Sequence, residues 1–283
     1  MTPARAFLCV VALLAAAAPA RAAITCSVSV TAVVVVYDPT SGTQSITTGS
    51  YAINCNRLIS DPATLNWSLA ADNGLQAGGG GNRVDNGAGQ RYVYDTWRLS
   101  PYTNANKWGS IAATRFTGTL NFGGALTAST TGPFDIVMAA GQAAQPAGTY
   151  TDTVTATLRT GATILNTAAF GVTVLTTNTC QISAPPGSVT FTYTSFQVSA
   201  AVASTTYGVR CTTALPYTMA LDATSGTLLD LTYNLAIAPS TAGIGTGATQ
   251  TYNINGTIAA GQTGTCATAF CTASEIRTLT LSW

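Results

Sequence analysis

Two cysteine-bounded spans constrain this chain more than any other feature. Cys26 and Cys55 stand 29 positions apart, and Cys180 and Cys211 stand 31 apart. Between the members of each pair lies an aromatic-bearing stretch of strand-forming residues, VVVVYDPTSG in the first half and VTFTYTSFQ in the second. Tyr37 thus answers Tyr193, and TGSYAINC answers STTYGVRC. Beyond the second cysteine, LNWSLAADNG parallels YTMALDATSG. Farther on, Trp97 and Leu99 match Tyr233 and Leu235, and TDTVTATL (151–158) matches IRTLTLSW (276–283). The economical reading is two copies of one unit with a join near Thr176 to Asn178. Of the many pairings six cysteines allow, the repeat supports Cys26 with Cys55 and Cys180 with Cys211, leaving Cys266 for Cys271.

The front end indicates the compartment in which those cysteines would oxidise. Arg5 precedes an apolar run from Phe7 to Ala18, and Ala20-Arg21-Ala22 offers small residues where a signal peptidase reads. The run is too short to span a bilayer, which needs about 20 apolar residues. It reads as a secretory signal over residues 1–22, cut after Ala22, and Cys9 leaves with it. An exported chain with an even number of remaining cysteines suggests disulfides, since nothing outside the cytoplasm keeps thiols reduced. Removal of Arg5 and Arg21 leaves nine basic residues (11 less two) against ten acidic ones. There is no basic patch for nucleic acid or anionic lipid.

Strand signals recur along the whole mature chain. Val33 to Tyr37, Ser50 to Asn54, Leu65 to Leu69, Tyr92 to Leu99, Thr151 to Leu158 and Phe170 to Leu175 are short runs punctuated by Gly, Asn, Asp or Pro. With 7% charged residues and 27 glycines, the composition favours half-buried strands joined by tight turns. No amphipathic helical period competes after the leader. The expected fold is all-β: two tandem immunoglobulin-like β-sandwiches, a first domain over 23–177 and a second over 178–283.

The two copies end differently. After Leu158 the first continues through RTGATILNTAAFGVTVLTT, where Phe170, Val172 and Val174 alternate as one more strand should. After Trp283 the second has nothing, so its sandwich is expected to lack its last strand. A missing strand leaves apolar core open along a groove and a neighbouring strand with unpaired N–H and C=O groups, a template for another chain.

These residues resemble the spore coat protein U domain family, which is also the subunit domain of archaic chaperone–usher pili. The resemblance rests on the cysteine-to-cysteine opening of each copy, the Trp-x-Leu and Tyr-x-Leu strands, Lys107-Trp108-Gly109, and AGTYTDTVTATL at 147–158. It covers essentially all of residues 26–283. The second copy departs from the pattern: it lacks the Trp-Gly, ends EIRTLTLSW and carries an extra cysteine pair. The resemblance implies an incomplete immunoglobulin-like fold and donor-strand complementation. A periplasmic chaperone would lend a strand, an outer-membrane usher would assemble the fibre, and an adjacent pilin subunit's N-terminal extension would replace the loan. Leu279, Leu281 and Trp283 would form the edge that pairs with chaperone and donor strand, with the Trp283 carboxylate as anchor.

Cleavage after Ala22 leaves Ala23, Ile24 and Thr25 before Cys26. That is shorter than a strand of about five or six residues plus a tether. The expectation is a subunit that accepts a strand without donating one, which belongs at the distal tip. Two-domain tip adhesins of archaic pili resemble this arrangement, and the resemblance implies attachment to abiotic or host surfaces and biofilm formation. Binding would then lie on the first copy, at the pole away from the join, where Arg159 to Thr163 and Asn56 to Thr64 should meet. Leu58, Ile59, Leu75, Tyr102 and Trp108 are the candidate surface-binding residues, with Trp108 favoured as structural by its place in the Trp-Gly. The alternative is a secreted structural coat protein without receptor binding.

Catalysis finds little to work with. The chain has no histidine, which removes Ser-His and Cys-His pairs and the usual metal ligands. Asp61, Asp72, Asp85 and Asp95 could in principle pair as glycosidase carboxylates, but Asp in Gly-rich segments is more often a turn former. The glycines at 78–81 have no following Lys-Ser/Thr and no helix, so a phosphate loop is a weak reading. Lys107, the lone lysine, has no evident partner for covalent chemistry. No enzyme activity, cofactor or metal is expected.

Overall fold

A computed structural model describes residues 24–78 and 81–283, so the leader read at residues 1–22 lies outside the described residues. Ten strands precede residue 178: β1 (Thr25–Val30), β2 (Val33–Val36), β3 (Ser45–Asn56), β4 (Thr64–Ala71), β5 (Asn82–Asp85), β6 (Arg91–Trp97), β7 (Phe116–Asn121), β8 (Thr127–Met138), β9 (Gly148–Thr160) and β10 (Thr163–Thr176). Eight follow: β11 (Cys180–Ala184), β12 (Ala201–Cys211), β13 (Pro216–Leu221), β14 (Ser225–Leu228), β15 (Leu231–Ala238), β16 (Ala242–Ile244), β17 (Thr249–Ile258) and β18 (Leu279–Ser282). No sheet spans both groups, and each group encloses its own core. We call them unit 1 and unit 2.

In unit 1 one layer runs β1-β3-β8-β6, and the other holds β2-β10-β9 with β4 and β7 beyond, β5 joining the layers between β6 and β9. The inward-facing alternate residues of both layers meet, as the two-residue period of a strand requires. Trp108, Phe134 and Phe170 form the centre, with Trp108 and Phe170 stacked at 5.8 Å. Unit 2 repeats the plan on a smaller scale, β11-β12-β17-β15-β14 against β16-β13-β18. In each unit the first disulfide joins directly opposed residues of the opening pair, Cys26 to Cys55 across β1 and β3, and Cys180 to Cys211 across β11 and β12. Cys266 is bonded to Cys271.

A motif unnoticed in the sequence organises both units. Ala139-Ala140-Gly141-Gln142 and Ala259-Ala260-Gly261-Gln262 each leave the end of the third strand of the ladder, β8 or β17. The glutamine amide then holds both backbone groups of a residue on the neighbouring strand. Gln142 accepts from Val93 N–H and donates to Val93 C=O; Gln262 does the same for Thr232. Tyr37 donates to Ala139 C=O at 2.9 Å and Tyr193 to Ala259 C=O at 3.0 Å. The Tyr37 and Tyr193 equivalence therefore has a physical basis in the same tie.

Two expectations need correction. The registers of β3 with β8 and of β12 with β17 place Asp95, opposite Val137, in the position of Asn234, opposite Thr257. Tyr94, not Trp97, is therefore the counterpart of Tyr233, and Leu99 lies exposed beyond β6. Second, VTFTYTSFQ forms no strand, although VVVV in the same place of unit 1 does. The reason is the missing partner: β2 exists by pairing parallel with β10, Val33 opposite Val172 through Val36 opposite Leu175. Among the described residues unit 2 has no equivalent of β10 for Val189 to Tyr193 to pair with.

Candidate functional site: an open strand edge and an apolar pole

The place of β10 can be examined from both sides. In unit 1, β9 is paired with β10 along its length, from Thr160 opposite Thr163 to Gly148 opposite Thr176, and with β4 on its other edge. Tyr150, Val154, Ala156 and Leu158 are fully buried as a result. In unit 2, β18 pairs with β13, Thr218 opposite Ser282 through Leu221 opposite Leu279, and ends its sheet. Among the described residues no strand takes its outer edge. Leu279 and Leu281 point to the core but remain only partly buried, as do Val189, Phe191 and Tyr193 across the gap. An apolar slot is thus bounded by β18 on one side and residues 189–193 on the other.

Of the three residues expected to form this edge, Leu279 and Leu281 are core-facing, so what β18 offers an incoming strand is its row of backbone N–H and C=O groups. Trp283 lies past the strand and is 59% exposed. It lines a shallow depression of about 600 Å³ at this end of the β16-β13-β18 sheet with Tyr217 and Ile244. The approach to β18 is pinned. Tyr233 donates to the Glu275 carboxylate at 2.6 Å, Arg277 Nε donates to the Tyr233 hydroxyl at 2.9 Å, and Arg277 pairs with Glu275 at 2.9 Å. Burial and the bond to Glu275 push the Tyr233 phenol above its ordinary pKa.

The pole of unit 1 farthest from unit 2 is built around one arginine. The Arg57 guanidinium donates to the carbonyls of Ala125, Asp61 and Gly123 and lies over the Phe122 ring. The buried Asp61 carboxylate accepts from Leu58 N–H at 2.7 Å. With the loop base so tied, Leu58 and Ile59 are turned out, Ile59 at 89% exposure. Leu126 stands beside them, since Arg57 N–H donates to its carbonyl. Ile164, opposite Arg159 at the β9–β10 hairpin, is exposed at the same end. Neither was singled out from the sequence; each follows a glycine-bearing turn that the alternation of strands does not read.

Three expected surface residues do not join this pole. Trp108 is 2% exposed, its indole N–H donates to Leu69 C=O, and its ring fills the centre of the core, so it is unavailable to a surface. Tyr102 is half-buried, its ring tilted against Trp97 and its hydroxyl donating to the Asp135 carboxylate on the flank of the β1-β3-β8-β6 sheet. Leu75 is exposed, but its N–H donates to Thr153 C=O, toward the opposite end of β9 from Arg159.

The four aspartates weighed as carboxylate partners are each engaged locally. Asp61 holds Leu58, Asp72 accepts from Gly74 and Thr155 N–H, Asp85 pairs with Arg91 at 2.6 Å, and Asp95 pairs with Lys107 at 2.7 Å. The hydrogen bond from Arg91 holds the Asp85 carboxyl below its usual range. The glycine run includes 79–80, which lie outside the described residues; Gly78 and Gly81 bridge each other.

The model of the Spore Coat Protein U domain matches residues 11–157 and 166–231, which takes in most of unit 1 and the first half of unit 2 and stops before β16, β17 and β18. The chain belongs to the spore coat protein U domain family. Among solved structures it is similar to self-complemented MyfA, the major subunit of Myf fimbriae from Yersinia enterocolitica, at 17% identity over 53% of this chain and 98% of that one, TM-score 0.29. It is also similar to a point mutant of the CFA/I enterotoxigenic E. coli adhesin CfaE at 10% identity, 81% and 86% coverage, TM-score 0.28. A PapD-like domain of human CEP192 matches at 11% identity, 53% and 84% coverage, TM-score 0.28. Overlaps this loose say nothing of this chain's role. No curated protein matches the sequence. Among the described residues, no helix of this chain is long and apolar enough to cross a membrane.

Proposed function

We propose that this chain is an exported, surface-attaching subunit of a chaperone–usher fibre, held at the fibre tip through unit 2 and contacting a surface through unit 1. The observation that carries the reading is the open edge of β18 beside the partly buried Leu279, Leu281 and Phe191, where unit 1 has β10. A periplasmic chaperone, and then an adjacent pilin subunit delivered at an outer-membrane usher, would each supply a strand there by β-addition. Unit 1, closed by its own β10, is free to present Leu58, Ile59 and Leu126 at the opposite pole, to an abiotic or host surface, as biofilm attachment requires. The role is one of binding and assembly rather than catalysis.

The energetics favour a strand with alternate large apolar residues. Burial of each Val, Leu or Phe is worth about 1.5–3 kcal/mol. Unit 1 shows the pattern that fits, with Phe170, Val172 and Val174 all buried. Copying residues 159–176 onto the chain after Trp283 should therefore close unit 2 through a hairpin like that of β9 and β10. The closed chain is expected to melt about 5 °C or more above the open one, with slowed amide exchange at Leu279, Leu281 and Trp283, whose N–H groups face the open edge. Unchanged melting and exchange would remove the strand-acceptor reading.

A further inference from the structure

The junction between the units shows what a filled slot leads to. β10 runs antiparallel to β9, fills the slot of unit 1, and leaves at the pole of Thr40, Gln142 and Ala144, where residues 177–179 carry the chain into unit 2. Unit 2 then covers that pole. Gln181 donates to Thr40 C=O at 3.0 Å, Arg210 donates to Gln142 C=O at 3.1 Å, and Ala144, bonded by Thr213, is buried. β10 with the unit it leads into thus stands to unit 1 as a donated strand with its own subunit would stand to unit 2.

Among the described residues no further unit covers the corresponding pole of unit 2, which is also chemically different. On the spacing that relates Tyr37 to Tyr193 and Cys55 to Cys211, buried Thr40 becomes Phe196, which is exposed; Val198 beside it is exposed as well. The connection after the Ala-Ala-Gly-Gln turn, 143–147 in unit 1, becomes 263–278. It crosses the pole anchored at both ends, by Thr265 N–H on Leu229 C=O and by Glu275 and Arg277 on Tyr233. Between the anchors the Cys266–Cys271 disulfide closes a small loop that carries Phe270 at 92% exposure. A covalently closed, anchored loop has little conformational freedom left to lose on binding, and a lone exposed aromatic on it has the character of an interface anchor.

We propose that this pole, through Phe196 and the Cys266–Cys271 loop with Phe270, docks the body of the subunit whose strand occupies the β18 slot. The occupant is a sandwich of this same fold, set on unit 2 as unit 2 is set on unit 1, a head-to-tail contact of the kind that builds filaments. A strand with the polarity of β10 emerges at this pole, so its subunit arrives over Phe196 and Phe270 without any further tether. The proposal rests on the strand-acceptor reading above, and its test separates the two.

Two probes serve. One is a peptide of residues 163–176. The other is the full mature chain carrying a copy of residues 163–179 ahead of Ile24, its own slot closed by the appended 159–176 strand. The acceptor is the mature chain and its F196S/F270S variant. The wild-type acceptor is expected to bind the chain probe at least about tenfold more tightly than the peptide. The variant should lose that advantage while holding the peptide within about twofold, which also shows that it is folded. A chain probe that binds no better than the peptide, or binds variant and wild type alike, overturns the docking face while leaving the slot. A variant that loses the peptide as well overturns it too, by tracing the effect to the slot. If neither probe binds the wild type, the slot reading falls and the docking face with it.

Discussion

Tyrosine does much of the structural work in a chain so poor in charge. Tyr37 and Tyr193 tie the Ala-Ala-Gly-Gln turns, while Tyr150 and Tyr207 sit in the two cores. Burial pushes the phenols of Tyr150 and Tyr207 up to about 12, against about 10 for an unfolded chain. Between those values the unfolded chain has released the protons that the folded chain still holds. The stability they contribute is therefore complete below pH 10 and is lost as pH rises through 12. The melting temperature should hold between pH 7 and 9 and fall across pH 10–12, with the tyrosinate absorbance of Tyr150 and Tyr207 appearing cooperatively with unfolding rather than before it. Among the described residues the Tyr207 hydroxyl bonds the Met219 sulfur alone, at 3.1 Å. Tyr207→Phe should accordingly cost less than about 1 kcal/mol at neutral pH and make the alkaline fall shallower. An equally steep fall in that variant would refute the assignment.

Among the elements, what could be read ahead was what repeats with local chemistry. The cysteine-bounded pairs β1–β3 and β11–β12 were legible because each begins and ends on a residue that can be counted. The Ala-Ala-Gly-Gln turns escaped because they carry no hydrophobic period; their meaning lies in an amide reaching a strand far away in sequence. VTFTYTSFQ misled because strand propensity is realised only where a ladder partner exists, and the same absence leaves β18 unpaired. The slip from Tyr94 to Trp97 has another cause: an odd shift changes which face a residue takes, yet an aromatic three positions along is buried too, so the pattern tolerated it. The loop of Leu58 and Ile59 was legible by its position, whereas the Arg57 and Asp61 bonds that stiffen it were not. Those bonds carry a prediction. L58S/I59S should lower adherence of the full chain to polystyrene by about tenfold. Its melting temperature should move by less than about 2 °C, because exposed substitutions usually cost within about 0.5 kcal/mol. Undiminished adherence would move the binding surface elsewhere.

For the whole molecule, attachment at one pole and strand acceptance at the far unit imply that load passes through the junction. That junction is short in sequence and close in contact. Residues 177–179 alone separate β10 from β11, and Gly247 comes directly against the Ala144 carbonyl. Gly247 has φ +79, where a side chain costs about 1–2 kcal/mol, and an added Cβ there would run into that carbonyl and Thr213 Oγ1. Gly247→Ala therefore cannot keep both its backbone and the junction. Because the residue lies between β16 and β17 and outside both cores, the units should stay folded while their mutual contact loosens. Small-angle scattering should show a larger maximum dimension and a broader distance distribution, and protease should cut faster near 177–179. Peptide binding at β18, which does not involve this contact, should be unchanged. Thr213→Ala, which removes one hydrogen bond and adds no clash, should give a weaker effect in the same direction. Identical scattering from Gly247→Ala and wild type would mean that the contacts at Ala144 carry no load, leaving residues 177–179 and the Gln181–Thr40 and Arg210–Gln142 bonds to hold the units together.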